Sequence, residues 1–395
     1  MNIYRKSLAF WAKITLISLI FFLVAIPAQA ADDSRYLVKS KSQFLKNAFN
    51  ARRNFNNGFT ADLNEWQLKA AKLLGVEVES VNILQVLPAE AKAAAKPKPR
   101  SVPDDQFGWG VEAIYNETDL AKVEGGNGVA IAVLDTGIET THPDLKARVV
   151  KCRDFTGTRL PYLDNKCEDK NGHGTHVAGI IAADGGSDNL GIYGVAPEAE
   201  LYIYKVCSNS GTCYADDVAA AIADAAGEKA NVINLSLGGD KPSSLIHAAI
   251  KDATDVLVVA AAGNDGPYAE SIDYPAAFPE VVAVGAIDVE RKIPEWSARG
   301  LNEITKAYTI EERDVEFAAP GVNIESTWKG GGYSVLSGTS MSTPFVSGLA
   351  AKYWAIMGKD KPADLIRETL QKSALDLLPD GDDNSSGFGL PRLIK

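Results

Sequence analysis

Three short segments hold side chains that could act together on a carbonyl carbon. The run Ala130–Leu134 places Asp135, followed by Thr136-Gly137, directly after an apolar, β-branched stretch. Asn171-Gly172-His173-Gly174-Thr175-His176 is a glycine-rich turn entering a second apolar run, and Gly338-Thr339-Ser340-Met341-Ser342-Thr343-Pro344 is a small-residue turn entering a third. A serine hydroxyl is a poor nucleophile until an imidazole takes its proton. The imidazole in turn needs a carboxylate to fix its tautomer and stabilise its charged form. Asp135, His173 and Ser340 supply those three groups. Each has an ordinary alternative: a turn-forming Asp, a His173/His176 metal pair that lacks a third ligand run, or a helix-capping Ser. Their joint occurrence, each in a fitting context, favours nucleophilic catalysis.

Such groups need rigid supports. Apolar runs at 129–134, 201–206, 232–235, 256–260 and 281–284 alternate with amphipathic stretches at 216–226 and 243–253. Continuous apolar strands alternating with helices predict an α/β fold, a mostly parallel sheet covered by helices on both faces. Functional groups gather at the carboxyl ends of such strands, where Asp135 and Asn264 fall. Upstream, a strand at 35–39, a helix at 63–74 ending at Gly75, and a strand-like run at 76–87 predict a small α+β unit. The Pro-, Ala- and Lys-rich stretch 88–103 reads as a linker.

The first 30 residues read as a secretory signal. Arg5, Lys6 and Lys13 precede the apolar run Ile14–Ile26, and Ala28-Gln29-Ala30 offers a cleavage site. An uncleaved anchor is the alternative. The expected organisation is a signal peptide at 1–30, a propeptide and linker at 31–100, and a catalytic domain at 101–395, in a secreted and monomeric protein. Four cysteines in an exported chain allow three pairings. Cys152–Cys167 and Cys207–Cys213 are favoured because each pair brackets a polar, turn-rich loop. Residues 1–100 carry a net +8, so the overall −11 leaves −19 for residues 101–395. That acidic body argues against nucleic acid as a partner and suits calcium or basic peptides. No membrane partner is expected once the signal is removed.

The three motifs, in the chain order Asp, His, Ser, resemble those of the subtilisin-like serine peptidases, the subtilases, over roughly residues 105–395. The resemblance implies a serine endopeptidase acting on polypeptides and inhibited by its own propeptide. It makes His173, rather than His176, the base, with His176 packed on the helix that follows. It assigns Asn264 of Ala262-Gly263-Asn264 as a side-chain donor to the oxyanion, with the Ser340 N–H as the second donor. Ser236, Leu237 and Gly238 would pair with substrate backbone as an added strand and, with Ala262 and Gly263, line its pockets.

Asp273, just before Tyr274-Pro275, falls near the base of the S1 pocket by the same resemblance. There it would favour Lys or Arg at P1; an exposed loop aspartate is the alternative. Self-cleavage after Arg100 in Pro97-Lys98-Pro99-Arg100 would suit that pocket, as would cleavage by another trypsin-like enzyme. Asp144 matches a subtilase calcium ligand, and the loop 184–192 could add Asp188 and the carbonyls of Leu190 and Ile192. A solvated acidic turn is the alternative, since this loop looks about two residues longer than in compact family members. Phe345 stands where a His is common, 291–316 reads as an enlarged loop, and no added domain is expected after Leu390.

Overall fold

The computed structural model describes residues 35–86, 99–157, 160–301, 309–378 and 381–394. The signal segment and most of the linker lie outside them. The chain divides into two compact units, residues 1–82 with 157–161, and residues 83–156 with 162–395.

In the first unit, strands β1 (Arg35–Val38), β2 (Arg53–Phe55), β3 (Gly58–Asp62) and β4 (Val78–Ser80) form an antiparallel sheet in the order β2-β3-β1-β4. Helices α1 (Gln43–Ala48) and α2 (Glu65–Leu73) accompany it. The start of α2 is fixed by a capping box: Asn64 accepts from Gln67 N, and the Gln67 side chain accepts from Asn64 N. Val38, Leu45, Phe49, Phe59, Leu63 and Ala71 make its core.

The strand-like run 76–87 does not remain one strand. It breaks at Val81–Asn82, so that β4 joins the first unit and β5 (Ile83–Val86) belongs to the second. Its alternation fits either sheet, and tertiary pairing decides where it divides.

The second unit is built on an eight-stranded sheet. Its members are β6 (Ala130–Asp135), β7 (Val149–Asp154), β8 (Leu163–Asp164), β9 (Glu200–Lys205), β11 (Val232–Leu235), β13 (Leu257–Ala261), β14 (Val282–Ile287) and β15 (Phe317–Pro320). The order is β15-β14-β13-β11-β6-β9-β7-β8, parallel except for the edge hairpin of β7 and β8. Central strands such as β6, β11 and β13 are buried at every position, which is why their sequences are apolar apart from Asp135 and Asn234. Helices α3 (Trp109–Tyr115), α4 (His173–Ala182), α5 (Ala215–Gly227), α6 (Ser244–Asp252), α7 (Thr339–Met357) and α8 (Ala363–Ser373) complete it. α7 packs on β11, β13, β14 and β15 and against α4, whereas α5 and α6 pack on each other. The first sixteen residues of α7 are all buried, so the helix is enclosed on all sides.

Both expected disulfides form, Cys152–Cys167 and Cys207–Cys213. The second ties the base of β10 (Thr212–Tyr214), which with β5 and β12 (Leu237–Gly238) makes a separate three-stranded sheet. The hairpin β16 (Ile324–Trp328) and β17 (Gly332–Leu336) lies against α4. A short ladder, β18 (Ala374–Leu375) with β19 (Leu390–Pro391), follows α8.

Candidate active site

Asp135 ends β6, His173 begins α4 and Ser340 lies in the first turn of α7. His173 Nδ1 is 2.8 Å and 2.9 Å from the two Asp135 carboxylate oxygens, both residues being almost completely buried. Thr136 N also donates to Asp135 Oδ1, at 2.6 Å. A carboxylate on Nδ1 makes that nitrogen the donor and leaves Nε2 as the basic atom. His173 Nε2 has no hydrogen-bond partner among the described residues, so its lone pair is open to a proton. Ser340 Oγ meanwhile donates to Ser236 O at 3.0 Å, so the Ser340–His173 bond is not made in this state. Such bonds are often loose until substrate binds.

The backbone around Ser340 is held by an exchange that follows from Pro344. Proline has no N–H, so the Ser340 carbonyl four residues earlier loses its helical donor. Ser236 Oγ replaces it at 2.9 Å, and Asn234 Nδ2 in turn donates to that Oγ at 3.0 Å. Ser347 Oγ donates to Asn234 Oδ1 at 2.9 Å, which fixes the amide's orientation.

Asn264 follows the end of β13. Its Oδ1 accepts from Thr339 N at 3.0 Å and Thr339 Oγ1 at 3.2 Å. That fixes which end of the amide is oxygen and leaves Nδ2 as the donor end beside the start of α7. Gly263 N donates to Thr339 Oγ1, binding the same two segments together.

The turn carrying His173 is organised by Asp169, a residue the sequence reading passed over. Its Oδ1 accepts from Thr136 Oγ1, Asn171 N and Gly172 N, and its Oδ2 from Thr175 N and Thr175 Oγ1. The signal was there as an Asp two residues before Asn-Gly, an Asx-turn spacing. Gly172 must be glycine, with φ +110° and a Cβ that would meet the Trp328 indole at 2.5 Å. His176 lies within α4, its ring turned to the hairpin, where Nε2 bonds to Ile324 O and Ser334 O. Burial, with the neighbouring His173, pushes its pKa down to about 3. Two carbonyls require an N–H at Nε2, so that nitrogen is not a metal ligand.

A strand from earlier in the chain pairs with the segment next to Ser236. β5 lies antiparallel to both neighbours, with Val86 opposite Leu237, Gln85 opposite Gly238 and Thr212, and Leu84 opposite Cys213. Val86 N donates to Gly211 O at 3.0 Å. Leu237 and Gly238 thus pair with β5, while the preceding Ser236 is bonded to Ser340. Arg100 is elsewhere: it exchanges two 2.9 Å backbone bonds with Tyr333 on β17, and its guanidinium meets Glu325 at 3.1 Å.

Asp273 is not an exposed loop residue. It is 3% exposed, and its N–H donates to Ala262 O at 2.7 Å. Burial, with Asp265 and Asp240 nearby, pushes its pKa up to about 7. Gly263 has φ +115°, and a Cβ there would meet Asp273 Oδ2 at 2.7 Å, so the carboxylate reaches to the segment bearing Asn264. Asp240 and Asp265, absent from the sequence reading, were signalled by their places directly after Gly238-Gly239 and Asn264.

A model of the subtilase family matches residues 126–389. The chain belongs to the subtilase family. A subtilisin from Bacillus sp. (strain TA39) is 44% identical over 395 residues, covering 92% of this chain and 91% of that protein. An alkaline protease of Alkalihalobacillus alcalophilus is 37% identical over 335 residues, covering 82% and 79%. Among solved structures, Sphericase matches with a TM-score of 0.72 at 46% identity, covering 74% of this chain and 99% of that one. S41 psychrophilic protease matches at 0.70 and 43%, covering 76% and 100%. This subtilase is therefore a serine endopeptidase with the α/β fold expected from its strand pattern.

Structural calcium is common in subtilases, and the residues around Asp144 fit one. Asp144 Oδ2 accepts from Ile192 N at 2.9 Å and Tyr333 OH at 2.8 Å. Oδ1 faces the 184–192 loop, where a Cβ on Gly186 would lie 2.9 Å from it and 3.4 Å from Asp188 Oδ1. Two carboxylate oxygens converging on a glycine-lined loop are hard-oxygen donors. Burial holds the Asp144 carboxyl above its usual range, a cost that a bound cation would offset.

Proposed function

We propose that this subtilase is a secreted zymogen whose propeptide and linker, residues 31–100, hold it inactive until removed, after loss of the signal at Ala30. One observation carries this reading. β5, upstream of the linker, is docked as a strand between β10 and β12, and Ser236, just before β12, accepts the hydrogen bond of Ser340 Oγ. A peptide in that place has a substrate's backbone pairing. The basic signal pattern, the two disulfides and the lack of a membrane-spanning helix among the described residues agree with export.

In the reaction, Ser340 Oγ turns from Ser236 O to His173 and attacks the scissile carbonyl carbon as His173 Nε2 takes its proton. Asp135 holds Nδ1–H and stabilises the imidazolium. The developing oxyanion is met by Asn264 Nδ2 and the Ser340 N–H. His173 then passes its proton to the leaving amine, the carbon–nitrogen bond breaks, and Ser340 is left as an ester. Water, activated by the same imidazole, hydrolyses that ester. Ser236, Leu237 and Gly238 bind the substrate strand, and Ala262, Gly263 and Asp273 form the S1 wall and floor. The buried Asp273 carboxylate favours Lys or Arg at P1. Calcium, held by Asp144, Asp188 and the carbonyls of Leu190 and Ile192, would brace the loop beside β17.

Because Arg100 is bonded into β17, cleavage after it by its own Ser340 requires that strand to detach. A second molecule is the simpler agent for that bond. The catalytic assignment is tested by labelling the secreted protein with a fluorophosphonate. One adduct is expected, on the peptide containing Ser340, and none in Ser340→Ala; an active Ser340→Ala protein would overturn the assignment.

A further inference from the structure

The three carboxylates at the S1 floor form a group of their own. One oxygen from each of Asp240, Asp265 and Asp273 lies within 4.8 Å of the others. The backbone makes this convergence. Gly239 and Tyr274 exchange two 3.0 Å hydrogen bonds, which sets Asp240 beside Asp273. Asp265 follows Asn264, and Asp273 N is tied to Ala262 O in the same segment. Asp240 and Asp265 are exposed, as acidic surface residues often are. Asp273 is different: it is 97% buried, and the charged groups acting on its carboxylate are two acids, Asp265 and Asp240, instead of a Lys, Arg or His. A buried carboxylate normally has such a partner. This one has two further carboxylates in front of it.

We infer that this cluster is a divalent-cation site, filled by Ca²⁺ when no basic P1 side chain is present, so that Ca²⁺ competes with Lys or Arg at P1. The donor chemistry is hard oxygen throughout, supplied by three carboxyl groups, with the exposed pair leaving room for water ligands. A dication cancels the mutual repulsion of three carboxylates more completely than one guanidinium does. The site is separate from the Asp144 loop: it lies beside Asn264 and acts on substrate choice instead of on stability. The inference rests on the placement of Asp273 in the S1 pocket.

The test uses the protein purified from the medium and the fluorescent arginine-side-chain mimic p-aminobenzamidine. Its dissociation constant is expected to rise about tenfold in about 10 mM CaCl₂, if the site binds at the 10⁻⁴–10⁻³ M typical of extracellular calcium modules. Asp265→Asn, an exposed substitution that leaves the fold undisturbed, should abolish most of that rise. Equilibrium dialysis should find one fewer calcium bound in Asp273→Asn than in the wild type. If benzamidine binds but Ca²⁺ does not displace it, the calcium site is refuted and the basic S1 pocket stands. If benzamidine does not bind, the basic pocket falls; equal calcium counts in wild type and both variants would then refute the metal site on its own terms.

Discussion

Asp135, at the end of β6, and Asp273, in the connection between β13 and β14, are 1% and 3% exposed, yet they are treated in opposite ways. Asp135 receives His173 Nδ1 on both oxygens and the Thr136 N–H besides. Among the described residues, Asp273 is faced at its carboxylate by two more acids. Asp144 stands between them, one oxygen bonded to Ile192 and Tyr333 and the other facing a loop. Burying an ionised carboxylate is costly unless partners are present. The difference teaches where those partners come from. At Asp135 the chain supplies them, and the result is a fixed, preorganised base. At Asp273 they are left to be brought by whatever binds.

The comparison is broken most forcefully on its satisfied side. Ser340→Ala or His173→Ala should lower kcat by about 10⁶-fold, the size of loss that such deletions cause in subtilisin, a member of this same family. Steady-state hydrolysis of a peptide amide measures it, and a loss of only tenfold would mean that the pair serves structure instead of chemistry. Asn264→Ala should cost about 10²–10³-fold in kcat with little change in KM, again the size known from an oxyanion donor in subtilisin.

The intermediate case, Asp144, is tested by chelation. EDTA should lower the thermal midpoint, with a loss of about 2.7 kcal/mol if calcium stands at 100 times its dissociation constant. An unchanged midpoint would remove calcium from the account. The smallest effect concerns the support of Ser340. Ser236→Ala leaves the Ser340 carbonyl without a donor, since Pro344 cannot supply one, and should cost about 1–3 kcal/mol in denaturant unfolding. A neutral result would mean that another group takes over that carbonyl.

Much of this arrangement is legible in the sequence because local chemistry dictates it. The apolar runs ending at Asp135 and just before Asn264 could only be buried strands, and the glycines beside His173 and Ser340 mark turns that no other residue fits. The two disulfides were legible because each closes a short polar loop. What was hidden depends on distant pairing. Nothing in the run from Val76 to Val86 says that the strand breaks at Val81 and that its second half pairs with β10 and β12. Asp240 and Asp265 read as ordinary surface acids until the bridge between Gly239 and Tyr274 brings them to Asp273. The exchange between Ser236 and Ser340 follows from Pro344 only once β12 and α7 are seen side by side. Arg100 read as a self-cleavage site from its neighbours alone, while its partner Tyr333 is more than 200 residues away.

The central claim is that the unsatisfied carboxylate selects substrates while the satisfied one drives catalysis. It is tested most directly by kcat/KM on two peptides differing only in Arg or Leu at P1, in calcium-poor buffer, for wild type and Asp273→Asn. The wild type should prefer Arg, and the variant should lose about 10–100-fold on the Arg peptide, the worth of one charge-assisted contact, while keeping its rate on the Leu peptide. An equal fall on both peptides, or a wild-type preference for Leu, would contradict it.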